Sequence, residues 1–252
     1  MNKQLIDILK AVTVSSKDDG KKWTDVTRLA VIKEMLDCSG YELLNAGSLH
    51  NDLYLLYGKG KLSKSKKYTV ISSHIDTVMS RFFVDIKGSK LTGTFDNAIT
   101  NAAAIYNMLN GKFDDNILVA FTGNEECGMQ GANNLCKYLS DYDITAYMVV
   151  DVSWEIYYSN AFTIENIKLT TEQLDKLLSA SKAIGEKFLF VNTFEYDDET
   201  AAYSDYSCFC YCIPIDNDDE MHTNVGVDTT VELFEKYTDA MPLIAKAIAI
   251  KN

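Results

Sequence analysis

Short apolar stretches alternate with longer segments of helical pattern along this chain. The strand-like segments are residues 41–46, 52–57, 68–73, 117–122 and 147–150. The helical patterns cover residues 24–37, 97–109, 129–139, 171–184 and 230–250. Strands that are apolar throughout and separated by helices predict a three-layer α/β/α fold. In this α/β class a central mixed, mostly parallel sheet is covered by helices on both faces.

A single domain is expected to span residues 1–252. The chain is 47% hydrophobic, which is enough for one sizeable core. The Lys-rich and Gly-containing stretch at residues 58–67 predicts an exposed connection between two strands. A domain boundary there would leave an N-terminal piece too small for a core of its own.

The charge and hydropathy of the chain exclude several classes of partner. The formal net charge is -12 and the only arginines are Arg28 and Arg81, so a nucleic-acid partner is not expected. No apolar run approaches the roughly 18 residues of a membrane span, so no membrane partner is expected either. The first ten residues lack a signal-peptide core and instead predict a short amphipathic helix. We therefore expect a cytoplasmic location.

Three cysteines alternate with aromatic residues at Cys208, Cys210 and Cys212. In a strand, alternate residues point to one face, which favours a row of small buried side chains. A metal cluster is the alternative, but zinc sites usually space their cysteines differently. His50, one of the three histidines of the chain, is interpreted as a solvated turn residue.

Histidines and carboxylates recur where the predicted strands end. They are His74, Asp76, Asp96, Glu125, Glu126, Asp151 and His222. Ligands of open α/β sheets bind at the carboxyl ends of the strands, so these side chains are expected to meet there. Imidazole nitrogen combined with carboxylate oxygen suits zinc, and also cobalt or manganese. Each residue alone has an ordinary alternative, such as a helix N-cap at Asp96 or surface charge at Glu125 and Glu126.

The spacing of these residues indicates separate roles. Asp76 lies two positions after His74, so in an extended segment it can brace the imidazole ring. Glu125 and Glu126 are adjacent and point in different directions, so one can bind metal while the other stays free as a base. Three ligating carboxylates and one hydroxide offset the charge of two divalent ions, whereas a single ion would leave two ligands over.

Five stretches carry a resemblance to a known family. They are Ser73–Val78, Gly93–Ala98, Thr122–Gly128, Val150–Asp151 and Met221–Thr223. With them the chain resembles the di-zinc exopeptidases typified by secreted bacterial leucyl aminopeptidases and glutamate carboxypeptidases. The resemblance implies two zinc ions, with Asp96 bridging both, and with His74, Asp151, Glu126 and His222 completing the two sites. It also implies that Glu125 is the general base, that Asp76 supports His74, and that a cis peptide bond follows Asp96.

The activity implied by the resemblance is metal-dependent hydrolysis of peptides, with removal of N-terminal residues. The alternatives are a carboxypeptidase or amide deacylase on the same scaffold, and a non-catalytic metal-binding or peptide-binding relative. Neither the interval from His74 to Asp96 nor that from Asp151 to His222 can hold a lid or dimerisation domain, which favours the lidless branch. Tyr206 stands where the family has a histidine near the substrate pocket, so the resemblance leaves side-chain preference open.

Overall fold

A computed structural model describes residues 1–14, 26–37, 39–47, 53–191, 194–195 and 198–249. Eleven strands lie within these ranges. They are β1 (Glu42–Ala46), β2 (Tyr54–Gly58), β3 (Lys67–His74), β4 (Val84–Lys87), β5 (Lys90–Gly93), β6 (Ile117–Thr122), β7 (Asp143–Ser153), β8 (Phe162–Lys168), β9 (Phe188–Phe190), β10 (Cys208–Pro214) and β11 (Val227–Thr230). Eight of them form the central sheet, and β11, β5 and β4 form a small antiparallel sheet.

The central sheet has the order β1-β2-β6-β3-β7-β10-β8-β9. Its middle strands, β6, β3, β7 and β10, run parallel to one another. On one side β2 and β1 add antiparallel strands, with a register shift between Leu43 and Asn45 in β1. On the other side β8 is antiparallel to β10, and the three-residue β9 is parallel to β8. The predicted mixed, mostly parallel sheet is therefore confirmed.

Helices cover both faces of this sheet, as predicted. They are α1 (Lys3–Val12), α2 (Val26–Leu36), α3 (Ala98–Leu109), α4 (Gln130–Leu139), α5 (Thr171–Ile184) and α6 (Val231–Ile248). Alternate residues of each strand enter different layers. Ile71 and Met148 join the core beneath α1, α2, α3 and α6, whereas Val70 and Val149 join the core beneath α4. Both faces are buried, so the central strands are rich in apolar residues, and their polar side chains, such as Ser72 and Thr122, are buried as well.

Most segments predicted from the sequence form the expected elements. Helix α1 buries Leu5 and Leu9, and the cysteines of β10 lie buried in one row in the core beneath α4. The last helix contains Pro242. Strands β4, β5, β8, β9 and β11 were not predicted, because they are short or carry mixed polar and apolar side chains. His50 and residues 24–25 lie outside the described residues.

Parallel strands β3, β6 and β7 are neighbours, so their carboxyl ends meet at one edge of the sheet. Strands β4 and β5 of the small sheet, and then the start of α3, follow β3 in sequence. None of the helices within the described ranges is long and apolar enough to cross a membrane.

Candidate metal centre

The ends of the central strands bring most of the predicted site residues together. His74 is the last residue of β3, Glu125 and Glu126 begin a single 3₁₀ turn after β6, and Asp151 lies near the end of β7. The start of α3 is tied to the same edge, since the Asn97 side chain donates to the Val150 carbonyl at 2.8 Å. The peptide bond between Asp96 and Asn97 is cis, as the resemblance implied.

Two groups of potential metal ligands share Asp96. In the first, His74 Nε2 lies 3.0 Å from Asp96 Oδ1 and 3.7 Å from Asp151 Oδ1. In the second, His222 Nε2 lies 3.1 Å from Asp96 Oδ2 and 3.9 Å from Glu126 Oε2. Metal–ligand bonds of about 2.0–2.2 Å in a tetrahedral zinc site separate ligand atoms by about 3.4 Å. The observed separations lie on both sides of that value, so each group has the dimensions of a metal site.

The buried oxygens of this cluster fit a bound cation. Among the described residues, neither Asp96 Oδ1 nor Glu126 Oε1 has a hydrogen-bond partner, and both atoms are buried. His74 Nε2 is close to Asp96 Oδ1 but does not have the geometry of a hydrogen bond to it. A buried carboxylate oxygen without a donor is costly, and a divalent cation removes that cost. The residues present therefore fit a bound divalent cation.

Asp76 is fully buried and holds the turn that carries the two glutamates. Its Oδ1 accepts from the backbone N–H of Glu125 at 3.0 Å, and its Oδ2 accepts from that of Glu126 at 3.2 Å. Its Oδ1 also lies 3.6 Å from His74 Nδ1, which is longer than a hydrogen bond. The shortest contacts of Asp76 thus position the glutamates, while its contact with the His74 ring is electrostatic.

Negative charge is concentrated in the centre, and the pKa values of the glutamates reflect this. Burial raises the pKa of Glu125 to about 9, with the charge of His74 acting against it and that of Asp151 adding to it. Burial and the carboxylate of Asp96 raise the pKa of Glu126 to about 7. Bound cations offset this negative charge and lower both pKa values.

A further buried carboxylate, Glu199, lies close to the centre and contacts two of its strands. It accepts from the Ser72 hydroxyl at 2.7 Å and from the Thr122 hydroxyl at 2.5 Å, and Ser72 also contacts the Tyr203 hydroxyl at 2.7 Å. Burial raises the pKa of Glu199 to about 7, although the hydrogen bond from Thr122 lowers it. Sequence analysis did not identify Glu199, because an isolated glutamate in a polar stretch resembles a surface residue.

A cavity of about 220 Å³ opens directly onto the predicted metal ligands and Glu125. Seven further residues line it: Val152, Trp154, Glu165, Asn166, Asp198, Cys212 and Met221. Apart from Cys212 in the cysteine row and Met221 in one of the resembling stretches, these residues could not be recognised from the sequence, because several of them lie on a strand and a turn whose register it does not reveal.

Two residues considered from the sequence lie outside this lining. Tyr206, expected near the substrate, packs edge-on against the ring of Tyr147 with centroids 5.3 Å apart. Arg81, one of the two arginines of the chain, lies over the ring of Phe83 at 4.6 Å.

Several solved structures share the fold of this chain. The TET1 peptidase of Pyrococcus horikoshii has a similar fold, with a TM-score of 0.72, 12% identity and coverage of 96% of this chain and 99% of that one. A TET aminopeptidase from a marine sediment thaumarchaeon gives a TM-score of 0.76 at 9% identity, covering 96% of each chain. Aminopeptidase PepT of Bacillus cereus gives 0.71 at 11% identity, covering 97% of this chain and 98% of that one.

The sequence comparisons are more specific than these structural similarities. No curated protein matches the chain in sequence. The model of peptidase family M28, in contrast, matches residues 56–223, which is more than half of the chain and includes every predicted site residue. The chain therefore belongs to peptidase family M28.

Proposed function

We propose that this chain is an aminopeptidase that uses two zinc ions to remove N-terminal residues from peptides. Metal-dependent peptide hydrolysis follows from its family. The observation that supports the two-ion site is the sharing of Asp96 by two ligand groups. His74 and Asp151 complete one site, and Glu126 and His222 complete the other. Cobalt or manganese would also suit these ligands.

Glu125 is the proposed general base. When bound, the zinc ions lower the pKa of a water and polarise the scissile carbonyl. The Glu125 carboxylate takes the proton of the attacking water and then delivers it to the leaving amine. Asp76 holds the Glu125 backbone in place for this transfer. Because cations lower the raised pKa of Glu125, its carboxylate is available as a base near neutral pH.

The charge of the cavity supports an aminopeptidase over a carboxypeptidase. A carboxypeptidase needs a cationic group for the terminal carboxylate of its substrate, and the described cavity lining contains neither lysine nor arginine. The free α-amine of a peptide substrate, in contrast, can contact the carboxylates of Asp151 and Glu125 in this cavity. The proposed substrates are therefore peptides with a free N-terminus. We further propose a single catalytic domain without a lid, while a cytoplasmic location stays a prediction.

The test compares a short peptide with its N-acetylated form, each incubated with zinc-loaded protein and followed by mass spectrometry. Loss of the first residue from the free peptide alone is the expected result. Cleavage at the C-terminus, or removal of the acetyl group, would instead support the carboxypeptidase or deacylase alternatives. Cleavage of neither peptide by fully zinc-loaded protein would favour a non-catalytic relative.

Two variants separate catalysis from metal binding. Glu125→Gln is expected to lower kcat by about 100-fold or more while zinc content per chain stays at two, because Glu125 moves protons but binds no metal. His222→Ala is expected to lose one zinc ion and retain the other. Glu172→Gln, an exposed change on α5, is the matched control. Loss of zinc in the Glu125 variant would contradict its assigned role.

A further inference from the structure

The cavity beside the metal centre contains two carboxylates that the proposed mechanism does not use. Glu165 lies on β8, and Asp198 precedes the 3₁₀ turn Glu199–Ala201. Both line the same cavity as the metal ligands and Glu125. A substrate in this cavity therefore meets negative charge beyond the metal centre.

A β-bulge directs this part of β8 into the cavity. Lys168 pairs with Cys208 and Glu165 pairs with Cys210, so β8 has one residue more than β10 in this interval. Asn166 lies at this bulge, and its φ of 48° falls in the left-handed region that asparagine tolerates. Consecutive residues of a regular strand face opposite sides, yet Glu165 and Asn166 line the same cavity. Bulges re-aim side chains in this way next to active sites.

Neutral donors fix the orientation of both carboxylates. Glu165 Oε1 accepts from the Ser153 hydroxyl at 2.5 Å and also from the Thr163 hydroxyl. Asp198 Oδ2 accepts from the Asn166 side-chain amide at 2.7 Å, and its Oδ1 accepts from the Thr200 backbone N–H at 2.7 Å. These contacts hold the carboxylates in place, and the part of the cavity lining that the structure describes contains no lysine or arginine.

The position of Glu165 suits a substrate side chain better than the α-amine. Ser153 follows Asp151 by two residues on β7, which corresponds to about 7 Å along a strand. Since the Ser153 hydroxyl contacts Glu165, the Glu165 carboxylate lies beyond the metal ligand by roughly that distance. The α-amine is one atom from the Cα and stays at the metal centre. A lysine side chain, in contrast, extends about 6 Å from its Cα.

The charge of this region also favours a cation. In the proposed centre, the ligating carboxylates are offset by the two metal ions, whereas the charges of Glu165 and Asp198 add to the negative potential outside it. The pKa of the buried Cys212 thiol is affected by these carboxylates. Burial raises its pKa, and although a hydrogen bond with Cys210 lowers it, the carboxylates of Glu165, Asp151 and Asp198 raise it further.

We propose that the enzyme prefers peptides beginning with lysine or arginine, whose cationic side chain is bound by Glu165 and Asp198. This specificity rests on the proposed aminopeptidase function. Charge-assisted hydrogen bonds to an ammonium or guanidinium group are stronger than neutral ones, and a site built around them rejects an apolar analogue. Peptides that begin with an acidic residue are excluded by the same carboxylates.

The test uses lysyl and norleucyl aminomethylcoumarin, two substrates with the same straight side chain that differ in the terminal amine. The zinc-loaded enzyme is expected to cleave the lysyl substrate with a kcat/KM about 10-fold to 100-fold higher. Glu165→Gln and Asp198→Asn should each reduce this ratio about 10-fold or more by slowing lysyl cleavage, with norleucyl cleavage within about twofold of wild type. The new amide oxygen at position 165 still accepts from Ser153 and Thr163, which keeps the fold intact. Circular dichroism checks that it does.

Glu172→Gln on α5 is the control, and its substrate ratio should equal that of the wild type. Equal loss on both substrates in the Glu165 and Asp198 variants would indicate a purely structural role and overturn the proposal. A wild-type preference for the norleucyl substrate would overturn it too.

Binding of the products provides an independent readout. By calorimetry, free L-lysine should bind the zinc-loaded protein about 10-fold tighter than L-norleucine, and Glu165→Gln should abolish this difference. If neither coumarin substrate is cleaved, the aminopeptidase function fails, but this binding difference still supports the cation subsite. Equal binding of the two amino acids overturns the subsite whether or not the enzyme is active.

Discussion

The buried carboxyl of Glu199 should make the stability of this protein depend on pH. Its folded pKa of about 7 exceeds its usual value of 4.5, because burial disfavours the charged form. Below pH 4.5 the group is neutral in both the folded and unfolded states. Between pH 4.5 and about 7 the unfolded state loses its proton first, so the folded state becomes less stable as pH rises. Above about pH 7 this loss is complete and constant.

The size of the effect follows from the pKa difference. A shift of about 2.5 units corresponds to about 3 kcal/mol of unfolding free energy. Glu199→Gln removes this titration and resembles the protonated acid, because its amide can donate to the Ser72 hydroxyl while its oxygen accepts from Thr122. The variant is therefore expected to match the wild type at pH 4.5 and to be more stable by up to about 3 kcal/mol at pH 8.5.

Urea unfolding of metal-free protein, followed by circular dichroism at pH 4.5 and pH 8.5, measures this difference. Other buried carboxyls, such as Glu125 and Glu126, titrate in both proteins and cancel in the comparison. A stability difference that does not change with pH would refute the reasoning. So would a variant that is less stable than the wild type at pH 8.5.

Three further predictions concern the metal centre and the turn beside it. Asp76→Asn should lower kcat/KM by about 10-fold to 100-fold in a peptide assay, because an amide has only one oxygen to accept from the backbone N–H groups of Glu125 and Glu126. Unchanged activity would contradict this positioning role. Gly131→Ala should cost about 1–3 kcal/mol in urea unfolding, because its Cβ would lie 2.6 Å from backbone atoms of Gly123; a neutral effect would show that the turn can relax. Removal of the metal by a chelator should abolish peptide hydrolysis, and added zinc should restore it. If elemental analysis shows that the metal is gone and activity survives, a metal-dependent mechanism is excluded.

The meeting of His74 and Asp151 could be predicted from sequence because it depends on topology alone. Parallel strands end at one edge of their sheet, so the polar residues that follow them must meet there. This places His74 beside Asp151 without any knowledge of side-chain conformation. Asp96 and His222 lie in loops, and only the resemblance assigned them to the same centre. The roles of all four in metal binding stay predictions.

The rest of the site depends on details that the sequence does not show. Glu165 enters the cavity because of a bulge in β8, and one extra residue in a strand leaves no mark in the hydropathy pattern. Glu199 is buried because its partners Ser72 and Thr122 lie on two neighbouring strands, so its environment is set by tertiary contacts. The cavity lining is in large part carboxylate, which the sequence alone does not reveal.

The two outer strands of the central sheet have a consequence for how copies of this protein can meet. An edge strand offers unpaired backbone groups that another chain can extend into a continuous sheet. Here one edge, β9, has three residues, and the other, β1, has five with a register shift between Leu43 and Asn45. Short or irregular edges hold an added strand poorly. Among the described strands, neither edge is therefore a good template for aggregation, and association between copies is expected to use side-chain surfaces instead.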